Sequence, residues 1–168
     1  MCEQVVLRGD GVVLRAVEAA DLDLVLQILT DTTVARWWGL YDAGRVAQEY
    51  GPPDDETVAY LIEVDGEVAG LIQYSEELDR DYKHASVDIA LLSGFQGRGV
   101  GPAAIRAVGR HLFEERGHHR LTIDPAAANR NAIKAYEGVG FREVGVMRQY
   151  ERGADGVWHD GLLMEWVR

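Results

Sequence analysis

The chain has 168 residues, a hydrophobic fraction of 47% and a formal net charge of −11, which together suit a single globular domain spanning residues 1–168. The acidic excess repels nucleic acid and favours cationic partners, and no apolar run approaches the roughly 20 residues needed to span a bilayer. The single cysteine, Cys2, excludes an internal disulfide, and the first residues lack the plan of a secretory signal. We therefore expect a cytoplasmic protein without a nucleic-acid or membrane partner.

The first elements along the chain are an apolar hairpin and a helix. Residues 5–7 and 12–15 flank Gly9-Asp10-Gly11, a turn signal, and so predict either an opening hairpin or one strand with a bend. Asp21 then precedes an apolar stripe at helical spacing, which predicts a helix that begins near this residue. The members of the stripe are Leu22, Val25, Leu26 and Leu29.

Two adjacent tryptophans follow this helix. Trp37 and Trp38 stand before Gly39, and neighbouring residues of one regular element cannot both face a core. At least one of them is therefore expected at a surface or cleft. For either one, a tryptophan that plugs the gap between helix and sheet is the structural alternative.

A second hairpin is indicated after the polar loop at residues 51–55. Two β-rich segments, 58–64 and 68–74, flank Asp65-Gly66, a favoured two-residue turn. The charged segment 75–84 that follows is interpreted as a connection over the surface.

The middle of the chain combines a buried strand, a glycine-rich turn and a helix. Residues 85–92 are apolar and partly β-branched, and apolar residues recur at helical spacing from Ile105 until Gly117 ends the helix. The turn at residues 96–101 has little side-chain bulk, so its backbone N–H groups can close on an anion at the positive end of the helix. We therefore predict that this turn binds a phosphate or pyrophosphate.

Three phosphate-binding patterns can be compared with this turn. A Walker loop is excluded because Pro102-Ala103 stands where a Lys and then a Ser or Thr are required. Residues 99–104 fit the dinucleotide pattern G-x-G-x-x-A, with Asp124 at a suitable distance, but too little chain follows to complete a doubly wound sheet. The third pattern is Gln-x-x-Gly-x-Gly, matched by Gln96, Gly99 and Gly101.

The last third of the chain continues with alternating elements. A strand is predicted at 121–124, a helix at 129–139, and two strands at 142–150 and 157–166. The sum is an α/β (α+β) domain with a mixed, mostly antiparallel sheet of about six to seven strands flanked by helices. The strands before and after the central helix run parallel, because a helical crossover joins them.

Two aspartates call for an explanation. Asp88 lies inside an apolar strand, where an unpaired carboxylate costs several kcal/mol or becomes protonated, and Asp124 ends the next strand. Two carboxylates near one opening can position an ammonium group and accept its proton, directly or through water. The structural alternatives are an ion pair with an arginine for Asp88 and a cap or Asp-Pro turn for Asp124.

The five histidines invite a metal interpretation, but their positions match no recognised ligand spacing and no cysteine assists. We therefore expect surface histidines and no metal. The residues concerned are His84, His111, His118, His119 and His159.

The glycine-rich turn and a second block after it resemble the GCN5-related N-acetyltransferase (GNAT) family. The second block is a strand followed by a helix that starts at Asn129, carries Tyr136 and ends before Gly140-Phe141. The resemblance implies the GNAT fold with a splayed pair of parallel strands, and it implies acetyl-CoA as the cosubstrate. It covers most of the chain.

The resemblance also assigns roles within the cosubstrate site. The amide of Leu91 or Leu92 would polarise the thioester carbonyl, and Tyr136 would protonate the leaving thiolate. The alternatives are a core aromatic for Tyr136 and a helix cap for Asn129, which can also serve both purposes. The residues expected to bind acetyl-CoA are Leu91, Leu92, Gln96, Gly97, Arg98, Gly99, Val100, Gly101 and Asn129.

Further matches narrow the resemblance to bacterial aminoglycoside 6'-N-acetyltransferases. They are the segment 36–39, the hairpin through 66–74, Asp88 in its strand and the segment 122–125. This likeness implies that Asp88 is a general base and that the acceptor, a cationic small-molecule amine, contacts Trp37, Trp38, Gln73, Asp88 and Asp124.

Two other functions stay open at this level. One is acetylation of a protein N-terminus, as in the ribosomal-protein branch of the family, whose helices share the pattern Asn-x-x-Ala-x-x-x-Tyr. The other is a non-catalytic acyl-CoA-binding domain, which would need the glycine turn but no acid or base. Both a monomer and a homodimer are compatible with the sequence.

Overall fold

The structure, a computed structural model, describes residues 5–51 and 57–168 and contains an eight-stranded sheet with helices on both faces. Cys2 and most of the polar loop predicted at 51–55 lie outside the described residues. The strands are β1 (Leu7–Gly9), β2 (Val12–Ala16), β3 (Thr57–Val64), β4 (Glu67–Glu77), β5 (His84–Leu91), β6 (Arg120–Ile123), β7 (Arg142–Arg152) and β8 (Trp158–Val167). The α-helices are α1 (Leu22–Thr30), α2 (Thr32–Trp38), α3 (Ala43–Tyr50), α4 (Val100–Arg110) and α5 (Arg130–Val139).

The strands lie in the order β1-β2-β3-β4-β5-β6-β8-β7, and within it β5 and β6 pair in parallel while the other neighbours are antiparallel. This topology confirms the predicted mixed, mostly antiparallel sheet with one parallel pair. The sheet has one strand more than the upper expectation of seven, because the opening segment folds as a true hairpin around Gly9-Asp10-Gly11.

The parallel pair is short, and this creates the site. Only Ala85 with Leu121 and Ser86 with Thr122 are paired between β5 and β6, and the two hydroxyl oxygens of Ser86 and Thr122 lie 2.9 Å apart. Beyond Ser86 the strand β5 continues for five residues to Leu91 without pairing to β6. The sheet therefore opens into a gap at the carboxyl end of β5.

Side-chain alternation divides the core between the two faces of the sheet. One face sends Ile72 and Val87 into a cluster with α4, and the other sends Leu71 and Ala90 into a cluster with α1, α2 and α3. Because Asp88 alternates with Val87, it lies on the same face as Ala90, towards α2 and α3.

Two expectations are wrong, one about the length of a surface connection and one about the exposure of the histidines. β4 runs to Glu77 and β5 begins at His84, so the connection comprises only residues 78–83. His118 is also buried, with 4% of its surface exposed, because its Nε2 lies 2.6 Å from the carboxylate of Glu76. His111 is buried too, between Tyr74 and Glu115.

Candidate active site

A cleft of about 1380 Å³ opens where β5 and β6 separate, and most of the predicted site residues line it. Of the predicted set, Leu92 and Arg98 do not line this cleft. Those that do are Trp37, Trp38, Gln73, Asp88, Leu91, Gln96, Gly97, Gly99, Val100, Gly101, Asp124, Asn129 and Tyr136.

The glycine-rich turn forms an open backbone surface at the start of α4. Gly97 and Gly99 have φ angles of 71° and 77°, in the left-handed region where glycine is favoured over residues with a Cβ. A Cβ placed on either glycine would meet no other atom within 4 Å, so the space beside the turn is free for a ligand. Gly99 caps α4, so the N–H groups of the first helical turn and the positive end of the helix face this space.

The side chain of Gln96 stabilises this turn by two hydrogen bonds. Its Nε2 donates to the Leu91 carbonyl, at 2.9 Å, and to the Thr33 hydroxyl, at 2.8 Å. The side chain thereby ties the turn to the end of β5 and to α2. Arg98 points elsewhere, because its Nη1 donates to the Gly94 carbonyl and its guanidinium lies 5.2 Å from the ring centre of Phe95.

The end of β5 distinguishes the two candidate amides. The Leu92 N–H donates to the Ala69 carbonyl, at 2.9 Å, so it is used within the sheet. Consecutive amides of a strand point to opposite sides, so the N–H of Leu91 points away from β4 and towards the gap. Of the two, the Leu91 amide has the geometry to meet a ligand in the cleft.

Asp88 is half-buried and has no basic partner among the described residues, so the ion pair considered from sequence is not formed. Its Oδ2 accepts a hydrogen bond from Gln73 Nε2 at 3.4 Å. Burial, together with the charges of Asp124 and Glu151, raises the pKa of Asp88 to about 6, although the contact with Gln73 lowers it. This carboxylate can therefore gain and lose a proton near neutral pH.

Asp124 is held by Tyr150, a residue that the sequence did not single out. The Tyr150 hydroxyl donates to Asp124 Oδ2 at 2.6 Å, which raises the pKa of Tyr150 to about 12. To reach Asp124, the Tyr150 ring crosses over Gly161 of β8, where a Cβ would lie 2.8 Å from the ring. The Asp124 side chain thus takes part in a contact across the sheet rather than serving only as a turn residue.

Glu151 adds a third carboxylate to the cleft. Burial and the nearby charge of Asp124 raise the pKa of Glu151. It follows a register shift between Met147 and Glu151, where Gln149 has a φ of 49°. Such bulges turn side chains out of the regular alternation of a strand. No local sequence signal predicts the bulge between Met147 and Glu151.

Tyr136 lies on α5, half-buried, with its ring 6.4 Å from that of Phe141. Burial, and then the charges of Asp88 and Asp124, raise the pKa of Tyr136, so its hydroxyl stays protonated at neutral pH. Asn129 caps the same helix, since its Oδ1 accepts a hydrogen bond from the Ala132 N–H at 3.3 Å. The predicted capping role is confirmed, and Asn129 also lines the cleft.

Aromatic residues of α2 and of the segment between α2 and α3 form one wall of the cleft. Trp37 and Trp38 both line it, with the Arg36 guanidinium 4.8 Å from the ring centre of Trp37 and Trp38 packed against the core of that face. Tyr41 and Arg45 extend the wall, and their side chains stack at 3.9 Å. The sequence indicated the tryptophans but gave no periodic or motif signal for Tyr41 and Arg45.

Comparison with known proteins defines the class of protein. Residues 18–148 match the acetyltransferase (GNAT) domain, and the chain therefore belongs to the GNAT family of acetyltransferases. It is an acetyl-CoA-dependent N-acetyltransferase, which excludes the alternative of a domain that only binds acyl-CoA.

Three relatives illustrate the range of acceptors in this family. Aminoglycoside N(6')-acetyltransferase type 1 of Klebsiella pneumoniae is 27% identical over 158 residues, covering 83% of this chain and 78% of the relative. Spermidine N(1)-acetyltransferase of Escherichia coli strain K12 is 26% identical over 159 residues, covering 92% and 84%. The solved structure of RimL, a ribosomal L7/L12 alpha-N-protein acetyltransferase in complex with coenzyme A, has a TM-score of 0.85 at 17% identity and covers 97% and 98%.

The residues of the cleft fit acetyl-CoA, which brings a pyrophosphate and an acetyl thioester to the enzyme. The open backbone at Gly97 and Gly99 is suited to the pyrophosphate, because it presents N–H groups without side-chain bulk. The gap beyond Ser86 is suited to an extended arm, with the amide of Leu91 directed into it.

Within the part of the chain that the structure describes, no helix is long and apolar enough to cross a membrane.

Proposed function

We propose that this acetyltransferase modifies a primary amine of a small polycation, and that the 6'-amine of an aminoglycoside is the preferred acceptor. The observation that carries the proposal is the arrangement of Asp88, Asp124 and Glu151, three carboxylates that face one cleft beside an aromatic wall. Three negative groups attract a molecule with several ammonium groups more strongly than a singly charged amine. The net charge of −11 acts in the same direction at long range.

In this proposal Asp88 accepts the proton of the attacking amine. With a pKa of about 6 it is largely ionised at neutral pH, and its basicity exceeds that of an ordinary carboxylate. Asp124 and Glu151 hold other ammonium groups of the acceptor, while Trp37 and Trp38 pack against its rings. Gln73 contributes by its contact with Asp88.

On the cosubstrate side, the backbone of residues 96–101 binds the pyrophosphate and the Leu91 N–H stabilises the negative charge that develops on the thioester oxygen. Tyr136 gives its proton to the departing thiolate. Its raised pKa keeps the hydroxyl protonated at neutral pH, so the proton is present when the thiolate leaves.

The proposal is tested by following release of the coenzyme A thiol with two aminoglycosides that differ only in an amine or a hydroxyl at the 6' carbon. The amine compound should support turnover and the hydroxyl compound should not. Equal turnover of both would place the reaction at another amine. Indifference to all aminoglycosides would overturn the preferred acceptor.

Spermidine is the second candidate acceptor, because the relative that acts on spermidine matches the larger share of this chain, 92% against 83%. A linear polyamine would meet the same carboxylates but would make less use of the aromatic wall. Replacing Trp37 with Ala should therefore raise KM for an aminoglycoside more than for spermidine. A peptide with a free N-terminus completes the comparison, and turnover with this peptide alone would shift the assignment to a protein N-terminus.

A further inference from the structure

A hydrogen-bonded chain leads from α3 to Asp88. Tyr50, the last residue of α3, donates from its hydroxyl to Gln73 Oε1 at 2.9 Å. Gln73 Nε2 in turn donates to Asp88 Oδ2 at 3.4 Å. Gln73 and Asp88 are cross-strand partners on β4 and β5, and all three side chains are half-buried, so the chain is fixed at both ends by the fold.

The chemistry of the groups sets the direction of this chain. An ionised carboxylate only accepts hydrogen bonds, so Gln73 must turn its NH₂ group towards Asp88. The amide oxygen of Gln73 then faces Tyr50, whose hydroxyl must donate. Burial raises the pKa of Tyr50, so the hydroxyl remains a donor over the working pH range.

We propose that Tyr50 is a positioning residue, which fixes the orientation of the Gln73 amide and thereby favours the carboxylate form of Asp88. The consequence for catalysis rests on the proposed function, in which Asp88 is the base. The consequence for the charge of Asp88 does not depend on that function.

The groups around Asp88 determine how strongly the hydrogen bond from Gln73 affects its charge. The facing groups are Asp124, Glu151 and Tyr150 from the β6 and β7 side, Tyr136 from α5, and Tyr41 with Arg45 and its partner Glu49 from the α3 side. Burial, Asp124 and Glu151 all favour the protonated form of Asp88, and the hydrogen bond from Gln73 opposes them. At 3.4 Å that bond is long, so an amide released by Tyr50 can turn its oxygen towards Asp88 instead.

The direct test is the variant Tyr50→Phe, which keeps the ring and removes the donor. We expect the pKa of Asp88, followed by carboxyl carbon NMR in the intact protein, to rise by roughly half a unit to one unit. The acidic limb of the kcat/KM profile should move to higher pH by the same amount.

Tyr74→Phe is the matched control. Tyr74 follows Gln73 on β4 but points to the opposite face, where its hydroxyl lies 3.4 Å from His111 Nε2. This variant also loses a buried hydroxyl contact, yet it should leave the pKa of Asp88 unchanged. If the pKa of Asp88 shifted equally in the two variants, the cause would be a general loss of packing rather than the contact with Gln73. That result would overturn the proposal.

A double-mutant cycle separates action through Gln73 from direct action. Gln73→Met should raise the pKa of Asp88, and adding Tyr50→Phe to it should change the pKa no further. Additive shifts, or an unchanged pKa in Tyr50→Phe alone, would overturn the proposal. If the pKa rises while the kcat/KM profile stays in place, Tyr50 positions Asp88 as proposed and Asp88 is not the base.

Discussion

The ladder between β4 and β5 carries two partly buried carboxylates, Glu76 near one end and Asp88 near the middle, and the two are surrounded in opposite ways. Glu76 on β4 receives two hydrogen bonds from Arg116, at 3.1 and 2.7 Å, and lies 2.6 Å from His118. Burial alone would raise the pKa of Glu76, but these partners outweigh burial and lower the pKa. Within the described residues, Asp88 on β5 has only the neutral contact from Gln73, and burial raises its pKa to about 6.

The difference shows how one sheet can use the same chemical group for two purposes. A carboxylate that receives hydrogen bonds from a guanidinium keeps its charge and binds distant segments together, as Glu76 binds β4 to the segment after α4. A buried carboxylate without a cation is destabilised in its charged form and becomes a stronger base. Asp88 therefore gains reactivity at a cost in stability, and Glu76 contributes stability without lying in the cleft.

Removal of the Asp88 carboxylate should produce the largest effect. If Asp88 takes the proton of the amine, Asp88→Asn lowers kcat by about 10²–10⁴-fold, the usual range for general acid–base catalysis. Steady-state kinetics over a pH series check this, since the wild type should lose activity as pH falls through about 6 and the variant should lack that limb. Glu76→Gln serves as the control and should keep the kcat of the wild type. An Asp88→Asn enzyme with unaltered kcat and pH profile would rule out the base.

The same variant should also be more stable than the wild type at neutral pH. The pKa of Asp88 is raised from about 3.9 in the unfolded chain to about 6, so its charge destabilises the folded protein above pH 6. That penalty disappears as pH falls from about 6 to about 4. Urea unfolding should show a gain for Asp88→Asn of up to about 3 kcal/mol above pH 6, and no gain below about pH 4.

Glu76 should give the opposite pH dependence. Its pKa lies below the usual value near 4.3, so its stabilisation is present above that value and is lost as pH falls through the lowered pKa. Glu76→Gln should lower the free energy of unfolding by about 2 kcal/mol at neutral pH, because charged hydrogen bonds to Arg116 and His118 are weakened. Glu67→Gln, at an exposed position of the same strand, should change stability by less than about 0.5 kcal/mol. A similar loss of stability in Glu76→Gln and Glu67→Gln would show that the partners of Glu76 do not stabilise the fold.

The smallest effect is expected at Glu151. Glu151 is an exposed residue that is only partly shielded from water, so Glu151→Gln should raise KM for a polycationic acceptor only about two- to fivefold, with kcat unchanged. The increase should shrink as salt is added, because salt screens an exposed charge. Glu143→Gln, on the same strand but outside the cleft, is the control and should not change KM. Equal KM values for wild type and Glu151→Gln at low salt would remove Glu151 from the acceptor site.

The parts of the fold and site that sequence predicts are those with a local cause. The glycine-rich turn, the hairpin at Asp65-Gly66 and the helix capped by Asn129 each follow from backbone preferences of a few neighbouring residues. Asp88 stands out in the sequence because it is a charged residue within an apolar strand. These signals sufficed to predict the parallel pair of strands, and the family resemblance based on them implied the thirteen predicted residues that line the cleft.

The parts that sequence did not predict depend on contacts between distant segments. His118 is buried because Glu76, 42 positions earlier, accepts its hydrogen bond, and no local pattern encodes that pairing. Tyr150 and Glu151 reach the cleft because a bulge on β7 changes their direction. Tyr50 meets Gln73 only after α3 has packed on the sheet.

Gly161 gives the proposed acceptor site a position at which evolution can adjust it without changing its reacting groups. The ring of Tyr150 can reach Asp124 because Gly161 has no side chain, and a Cβ there would lie 2.8 Å from the ring and 3.3 Å from the end of Met147. A single change from Gly to Ala would therefore displace Tyr150 and leave the carboxylate of Asp124 with a free acceptor oxygen. If Asp124 holds the acceptor as proposed, a substitution at this position would alter which amines the enzyme accepts, while every residue proposed to bind acetyl-CoA stays the same.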